Sequence, residues 1–202
     1  RLDEFASLVS HDLRNPLSVA QGRATLLEQE CESEHIESLQ AALSRMEEIV
    51  EDTLALARNG QQVDETEPVN LVGAIGKCWE LVATSAARLE IEDDITIRAD
   101  PDRIRHICEN LFRNAVEHGG DDVTVQIGQA DEQTIYFEDD GPGIPEDERD
   151  AVFDPGHSSA PDGTGFGLAI VQRVAEAHGW DITLTESKSG GARFEFSGVE
   201  IQ

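Results

Sequence analysis

The sequence predicts two kinds of domain in one chain: an antiparallel helical hairpin that dimerises into a four-helix bundle, and a two-layer α/β sandwich after it. Through the first 60 residues, apolar residues recur every three or four positions, which is the period of an amphipathic helix. Further along, short runs alternate apolar and polar residues, as half-buried strands do, with helix-like segments between them. We therefore expect a helical domain over residues 1–65 and an α/β domain over residues 66–202.

Two amphipathic segments predict the hairpin, separated by a short polar turn at residues 30–34. Two helices alone bury little apolar surface, so a homodimer that forms a four-helix bundle is the economical way to cover them. The first apolar face consists of Phe5, Leu8, Val9, Leu13, Pro16, Leu17, Ala20, Ala24 and Leu27. The second is a heptad seam with one polar member, formed by Ile36, Leu39, Leu43, Met46, Val50, Thr53 and Ala57.

The α/β domain is predicted from alternating runs and the segments between them. We expect strands around residues 95–97, 123–127, 135–137, 182–184 and 194–196. Helices are expected over residues 71–86, 103–117 and 167–178. This order of elements favours a two-layer α/β arrangement.

Composition narrows the function. The 42 acidic residues outnumber the 15 Lys and Arg, and the net charge of −27 excludes a general nucleic-acid binder, because it repels phosphates. Acidity spread along the whole chain with only Lys77 and Lys188 is typical of proteins from a halophile's cytoplasm; an ordinary acidic protein is the alternative. Cys31, Cys78 and Cys108 match neither a zinc site nor a disulfide framework, so we interpret them as reduced and structural.

Apolar runs of about four residues are far too short to span a bilayer, and no signal segment opens the chain. We therefore expect a cytoplasmic segment without membrane contact. Because position 1 is Arg rather than Met, we also expect a processed product or an excised fragment, in which any upstream sensor or membrane segment would not be visible.

One histidine on the first helix has the surroundings of a nucleophile. A lone exposed histidine is ordinarily just solvated, but His11 adjoins Asp12, which could act on it as a base. Asn15 follows one turn later on the same face. Pro16 leaves a helical carbonyl unpaired and should bend the helix beside His11.

Three later motifs suit a nucleotide. Asn110 and Asn114 lie one helical turn apart, where amide oxygens suit Mg²⁺ beside phosphates, although such pairs are usually only solvated. Asp139-Asp140-Gly141-Pro142-Gly143 follows a strand, where an acid could accept from an adenine amino group or the glycines could simply form a turn. Gly163-Thr164-Gly165-Phe166-Gly167-Leu168 leads into a helix whose first N–H groups can hold anions, but glycine-rich loops are common.

In this order the motifs resemble a known family. Residues 10–17 resemble the phosphoacceptor motif of sensor histidine kinases, and the later motifs resemble the ATP-binding domain that these kinases share with gyrase and MutL-type ATPases. The resemblance implies that His11 accepts the γ-phosphoryl group of ATP, that Asp12 assists as base and that Asn15 orients a water for dephosphorylating a partner. It implies Mg²⁺ and ATP at Asn110 and Asn114, adenine at Asp139 beside Gly141 and Gly143, and a nucleotide site that also includes Arg113, His118, Phe153, Gly163, Thr164, Gly165, Gly167 and Leu168.

The chain departs from the family pattern at two places. Glu117 stands where the family often has Lys, and His118 where it often has Tyr. In the mobile lid that the resemblance implies at residues 155–162, Gly156 replaces the second Phe of the paired motif that begins at Phe153. The phosphate charge must then be met by Mg²⁺, by backbone amides, and by Arg113 or His157. Arg113 could equally be a solvated helix residue.

The resemblance as a whole implies a sensor histidine kinase core that phosphorylates itself on His11 and passes the phosphoryl group to an Asp of a response regulator receiver domain. Regulator dephosphorylation is a further implied activity. Two alternatives stay open: a non-catalytic nucleotide-binding dimer, which the altered residues favour, and a GHKL-type ATPase, which has no use for His11 on a kinked helix. Transfer within a subunit and transfer across the dimer are equally compatible with the sequence.

Overall fold

The computed structural model describes Leu13 and residues 16–28, 34–59, 63, 65–82, 86–92, 94–158 and 163–202. Two helices form the first part: α1, described over residues 16–28, and α2, Glu34–Asn59. None of the described helices is both long enough and apolar enough to cross a bilayer.

The two helices form the predicted antiparallel hairpin. Gln21 Nε2 donates to Glu47 Oε2 over 2.7 Å, and Gln40 Nε2 donates to Glu28 Oε2 over 3.0 Å. The later residue of α1 pairs with the earlier residue of α2, so the two helices run in opposite directions. Ala24 is buried in this part of the chain.

The predicted heptad seam of α2 is divided between covered and uncovered positions. Ile36 and Leu43 are buried, whereas Leu39 and Met46 remain 45% and 46% exposed. Leu54, outside the predicted seam, is buried instead. The reason is that α2 also packs against the α/β domain, which the heptad pattern cannot show.

The α/β domain contains a five-stranded sheet in the order β2-β4-β5-β7-β6, in which β2 and β4 are parallel and the other pairs antiparallel. β1 and β3 form a separate antiparallel pair. The strands are β1 Glu67–Asn70, β2 Arg88–Ile91, β3 Thr96–Ala99, β4 Thr124–Asp131, β5 Thr134–Asp139, β6 Asp181–Glu186 and β7 Ala192–Ser197. The helices are α3 Leu71–Val82, α4 Pro101–Gly119 and α5 Gly167–His178, with a 3-10 turn at Ala151–Phe153.

This architecture agrees with the predicted two-layer α/β domain, with two corrections. The prediction missed β1 and β2, which have four residues each. It also extended α3 to residue 86, whereas the helix ends at Val82. Four residues give an alternating pattern few positions in which to stand out; β3, of the same length, was found because its alternation begins at Ile95. β1 also includes Pro68, which argues against a strand.

Aromatic side chains connect the helix layer to the sheet. Phe112 of α4 makes an edge-to-face contact with Trp79 of α3 at 5.2 Å and lies 6.3 Å from Phe137 of β5, measured between ring centroids. Phe137 in turn contacts Phe196 of β7 at 5.8 Å. The chain of rings gives the domain one continuous core.

Two buried cysteines lie within this core as free thiols, Cys78 on α3 and Cys108 on α4. A hydrogen bond with Cys78 and burial both raise the pKa of the Cys108 thiol well above its usual value. Both belong to the apolar packing, in line with the structural role expected of them. Cys31 lies outside the described residues.

The helical part docks onto the α/β domain through α2. Ala55 and Leu56 pack against the core of the α/β domain, and α2 contacts α5. Beyond α2, Val63 N donates to Ala177 O over 3.0 Å. This docking places one face of α2 beside the open side of the α4 and α5 layer.

Candidate functional site

A cavity of about 1020 Å³ lies where α2, α4 and α5 meet the loops that follow β5. Its volume is at the upper end of the range for small-molecule sites. Among the residues predicted for a site, its wall includes Asn110, Arg113, Asn114, His118, Asp139, Gly143, Gly163, Thr164, Gly165, Gly167 and Leu168. Motifs far apart in the sequence therefore share one cavity.

Helix α4 supplies one wall. Asp100 caps its first turn by accepting from Asp102 N and Arg103 N, with Pro101 at the first helical position. Because the apolar face of α4 is buried in the core, Asn110 and Asn114 lie one turn apart on the side toward the cavity.

The carboxamide of Asn110 has a defined orientation. Its Nδ2 donates to His106 O over 2.7 Å, which turns Oδ1 toward α5. A Cβ added to Gly167 would lie 2.9 Å from that oxygen, so the close approach of the two helices needs glycine there. Asn110 thus presents an oxygen beside the start of α5.

Asp139 at the end of β5 forms another part of the wall. Its Oδ1 accepts from Gly141 N over 2.9 Å and from Ala192 N over 3.1 Å. These bonds commit one carboxylate oxygen to the backbone and leave Oδ2 as the acceptor for a ligand. Burial raises the pKa of the Asp139 carboxyl above its ordinary value.

The loop between β6 and β7 holds Asp139 in place, and sequence reasoning missed it. Ser187 Oγ donates to Asp139 O over 2.7 Å and accepts from Gly191 N over 2.9 Å. A Cβ added to Gly191 would lie 2.1 Å from Asp139 O, so only glycine fits. The consecutive glycines before β7 suggest a turn. They do not indicate that this turn supports Asp139, which precedes Ser187 by 48 residues.

The glycine-rich loop ends at the first turn of α5. Gly156 N donates to Gly165 O over 2.9 Å, which closes the base of the segment between them. Gly165 has a φ of +72°, and a Cβ there would lie 2.5 Å from the Gly156 carbonyl carbon. Phe166 at the N-cap supplies no side-chain hydrogen bond to α5. The first N–H groups of α5 therefore suit an anion in the cavity.

Helix α2 supplies the opposite wall of the cavity. No motif in the sequence predicted this contribution. Thr164 Oγ1 donates to Asp52 Oδ2 over 2.5 Å, and Arg45 Nη2 lies 3.5 Å from Gly163 O. Charged residues on an amphipathic helix are ordinarily solvated, so the local sequence did not indicate that Asp52 and Arg45 belong to a site. Ala41, Ala42 and Ser44 complete the α2 part of the wall.

Other predicted site residues have different places. Phe153 packs against the hydrophobic core and Gly141 against Gly119, and in the described chain neither is on the cavity wall. His11, Asp12 and Asn15 lie outside the described residues, as do residues 159–162 of the expected lid. The described part of the chain contains no cluster of three His, Cys, Asp or Glu side chains that could hold a metal.

Two family models match the chain. Residues 99–199 match the family described as histidine kinase-, DNA gyrase B-, and HSP90-like ATPase. Residues 1–62 match the family described as the His Kinase A (phospho-acceptor) domain. The match to the ATPase family covers the α4, β5 and α5 walls of the cavity.

The relatives align with this chain across both the helical region and the α/β domain. The chain is 32% identical over 209 residues to sensor histidine kinase ZraS of Salmonella typhimurium, covering 96% of this chain and 44% of that protein. It is 31% identical over 215 residues to signal transduction histidine-protein kinase AfsQ2 of Streptomyces coelicolor, covering 94% of this chain and 40% of that protein. The chain therefore spans less than half the length of these relatives.

Solved structures share the fold. Full-length ShkA in complex with AMPPNP superposes with a TM-score of 0.74 at 28% identity, covering 97% of this chain and 46% of that one. The mycobacterial sensor histidine kinase MprB superposes with a TM-score of 0.57 at 27% identity, covering 65% of this chain and 95% of that one.

Proposed function

This chain belongs to the histidine kinase family, and from that premise we propose that it is the catalytic core of a sensor histidine kinase. In this proposal it phosphorylates itself on His11 with ATP and then transfers the phosphoryl group to an Asp of a response regulator receiver domain. The observation that carries the proposal is a cavity with a half-buried acid, Asp139, in one wall and a helix N-terminus without a side-chain cap in another.

Asp139 is the proposed adenine-binding group. With Oδ1 held by two backbone amides, Oδ2 is the oxygen that would accept from the adenine amino group. Gly143 lines the cavity nearby, and a Cβ there would lie 2.6 Å from Gly190 O, so the backbone approaches too closely for any side chain. Gly141 keeps Asp139 in position by donating to it.

The phosphates belong, in this proposal, at the glycine-rich loop and the start of α5. Gly163, Thr164, Gly165, Gly167 and Leu168 surround that position, with Arg113 and His118 on the α4 side. Asn110 and Asn114 have the oxygen donors that Mg²⁺ prefers, and the Asn110 oxygen already faces the loop. When bound with ATP, Mg²⁺ would neutralise phosphate charge. Phe153 would support the loop from the core rather than touch the nucleotide.

His11 is the proposed nucleophile, and the phosphoacceptor family model over residues 1–62 supports it. A ring nitrogen of His11 would form a bond to the γ-phosphorus as the bond from that phosphorus to the ADP oxygen breaks. Asp12 would take the proton that the imidazole must lose, and Asn15 would orient a water during dephosphorylation of the regulator.

We further propose that residues 1–65 form a homodimeric histidine phosphotransfer hairpin and residues 66–202 the nucleotide-binding domain. Large apolar side chains left exposed on α1 and α2 support the dimer, because water-exposed stripes of this kind are normally covered. They include Val19, Leu26, Leu27, Leu39, Met46 and Ile49.

The setting of this core is also a proposal. Dispersed acidity and the two lysines suit a high-salt cytoplasm, and the longer relatives are consistent with an upstream sensor domain. The net charge of −27 argues against nucleic acid as a partner.

Incubation with γ-labelled ATP and Mg²⁺ at high KCl tests the proposed function, with wild type compared with His11→Gln and Asp139→Asn. We expect acid-labile, base-stable label on wild type only, with nucleotide binding retained by His11→Gln and lost by Asp139→Asn. Equal ATP turnover by wild type and His11→Gln, without label, would instead establish an ATPase. Nucleotide binding without label or turnover would establish a non-catalytic module.

A further inference from the structure

One arginine of the helical hairpin lies where the nucleotide phosphates are proposed to bind. Arg45 of α2 is on the cavity wall, and its Nη2 lies 3.5 Å from Gly163 O, at the beginning of the glycine-rich loop. The other end of that loop, Gly167, lies beside Asn110, whose Oδ1 would be 2.9 Å from a Cβ at position 167. Arg45 therefore belongs to the part of the cavity beside the glycine-rich loop, where the phosphates are proposed to bind, rather than to the part around Asp139.

A second contact holds the same face of α2 against the loop. Asp52 follows Arg45 by seven residues, two helical turns, so both side chains lie on one side of α2. Asp52 accepts from Thr164 Oγ1 over 2.5 Å and is only 9% exposed. Asp52 thus tethers the loop residue next to Gly163 and keeps Arg45 beside the loop.

The charges around the cavity make a further cation beside the phosphates necessary, and Arg45 is placed to supply it. The described wall has four acidic side chains, Asp52, Glu117, Asp139 and Glu148, against two arginines, Arg45 and Arg113. Glu117 stands on α4, near Arg113, and opposes a polyphosphate there. Since acids outnumber arginines, neutralising a triphosphate requires every cation that reaches it.

We propose that Arg45 is a phosphate-binding residue of the nucleotide site, supplied by the helical hairpin from across the cavity. Its guanidinium would donate to oxygens of the terminal phosphates of a nucleoside triphosphate, as planar guanidinium groups do in other phosphate sites. Phosphate recognition then depends on the docking of α2, while adenine recognition belongs to the α/β domain alone. This inference rests on the proposed function and adds a residue to its site.

Equilibrium titration of the full chain with a non-hydrolysable ATP analogue and, separately, with adenosine tests this role. We expect Arg45→Ala to weaken binding of the triphosphate about tenfold, the effect of losing one charged hydrogen bond, and to change adenosine binding less than about twofold. Arg45→Lys, which keeps the charge, should fall between wild type and Arg45→Ala. Arg105→Ala is the matched control, because Arg105 is an arginine on α4 that pairs with Asp102 and Glu109 away from the cavity wall.

Three results would overturn the inference. Unchanged triphosphate affinity in Arg45→Ala would show that the side chain does not reach the phosphates. Equal weakening for triphosphate and adenosine would show that Arg45 only supports the shape of the site. Failure of the wild type to bind the triphosphate would overturn the proposed function as well, whereas either of the first two results, obtained while His11 is labelled, would overturn this inference alone.

Discussion

The helical hairpin and the α/β domain differ in how much of their apolar surface they cover. The α/β domain closes its core around a continuous chain of aromatic rings. In the described chain it leaves one large apolar side chain exposed, Val72, whereas the hairpin exposes Leu13, Val19, Leu26, Leu27, Leu39, Met46 and Ile49. The α/β domain is therefore complete as a single copy, and the hairpin needs a further surface against it.

The two regions also contribute differently to the cavity. The part around Asp139 is built by the α/β domain, with Ser187 and Gly191 as supports. The part around the glycine-rich loop is shared with α2 through Asp52 and Arg45. One part of the site therefore follows from the fold of a single domain, and the other depends on how the two regions dock.

The largest expected effect lies in the closed core. Phe112 is fully buried between Trp79 and Phe137, so Phe112→Ala should lower the free energy of unfolding of the α/β domain by about 3–5 kcal/mol. Denaturant unfolding followed by tryptophan fluorescence measures this. Leu39→Ala on the hairpin is the comparison and should cost less than about 1 kcal/mol at concentrations where the chain is monomeric. Similar losses for both variants would contradict the comparison.

The next effect concerns the uncovered face of the hairpin. Replacing both Leu39 and Met46 by Ser should weaken self-association by about 3 kcal/mol, roughly a hundredfold in the dimer Kd, because a dimer would bury both side chains in each copy. Sedimentation equilibrium measures the Kd.

Val72→Ser is the matched control for that variant, since Val72 is 42% exposed on α3, close to the 45% and 46% of the hairpin pair. We expect it to leave self-association unchanged. If Val72→Ser weakened the dimer as much as the hairpin variant, the dimer interface would not lie on the hairpin.

A smaller effect tests the contact between the two regions. Thr164→Val keeps the shape of the side chain and removes the hydroxyl that donates to Asp52, and Asp52→Ala removes the acceptor. A double-mutant cycle of these two substitutions should give a coupling of about 1.5 kcal/mol in unfolding free energy. Additive effects of the two substitutions would show that the regions are not coupled at this point.

The smallest effect is a pH dependence inside the α/β domain. His178 Nδ1 donates to Val174 O over 2.8 Å and Nε2 accepts from Asp100 N over 3.0 Å, and burial lowers the pKa of its imidazole. The unfolded chain therefore binds the proton more readily, so stability is retained above the ordinary histidine pKa of about 6.5 and falls as pH drops below it, by up to about 1.4 kcal/mol per pH unit.

His178→Gln should reduce this slope between about pH 5 and 6.5, as measured by urea unfolding at several pH values. His106, whose pKa burial also lowers, accounts for a slope that persists in the variant, and His106→Gln serves as its comparison. An unchanged slope in the variant that lacks both histidines would contradict the prediction.

Long periodic elements could be predicted from the sequence, whereas two of the three four-residue strands, β1 and β2, could not. The predicted helix over residues 167–178 coincides with α5, because Gly167 and Gly179 stand at its ends and its apolar positions keep one face. β2 was missed because its four residues pair in parallel with β4, a non-local contact that its own sequence does not signal.

The same limit holds for the site. Asn110, Asp139 and the glycine-rich loop could be found because each belongs to a local pattern of a few residues. Gly191 and Arg45 could not, because what distinguishes them is a neighbour distant in sequence: Asp139 for Gly191 and Gly163 for Arg45. Only the structure shows which distant residues these two positions contact.

By itself, the sequence determined the two fold classes, the positions of the long helices and the residue types available for nucleotide chemistry. These depend on periodicity and spacing along single elements, which are local properties of the chain. The tertiary structure alone decided that α2 forms a wall of the cavity. Asp52 and Thr164 are 112 residues apart, and only the packing of α2 on α5, with Ala55 and Leu56 against the core, brings them together.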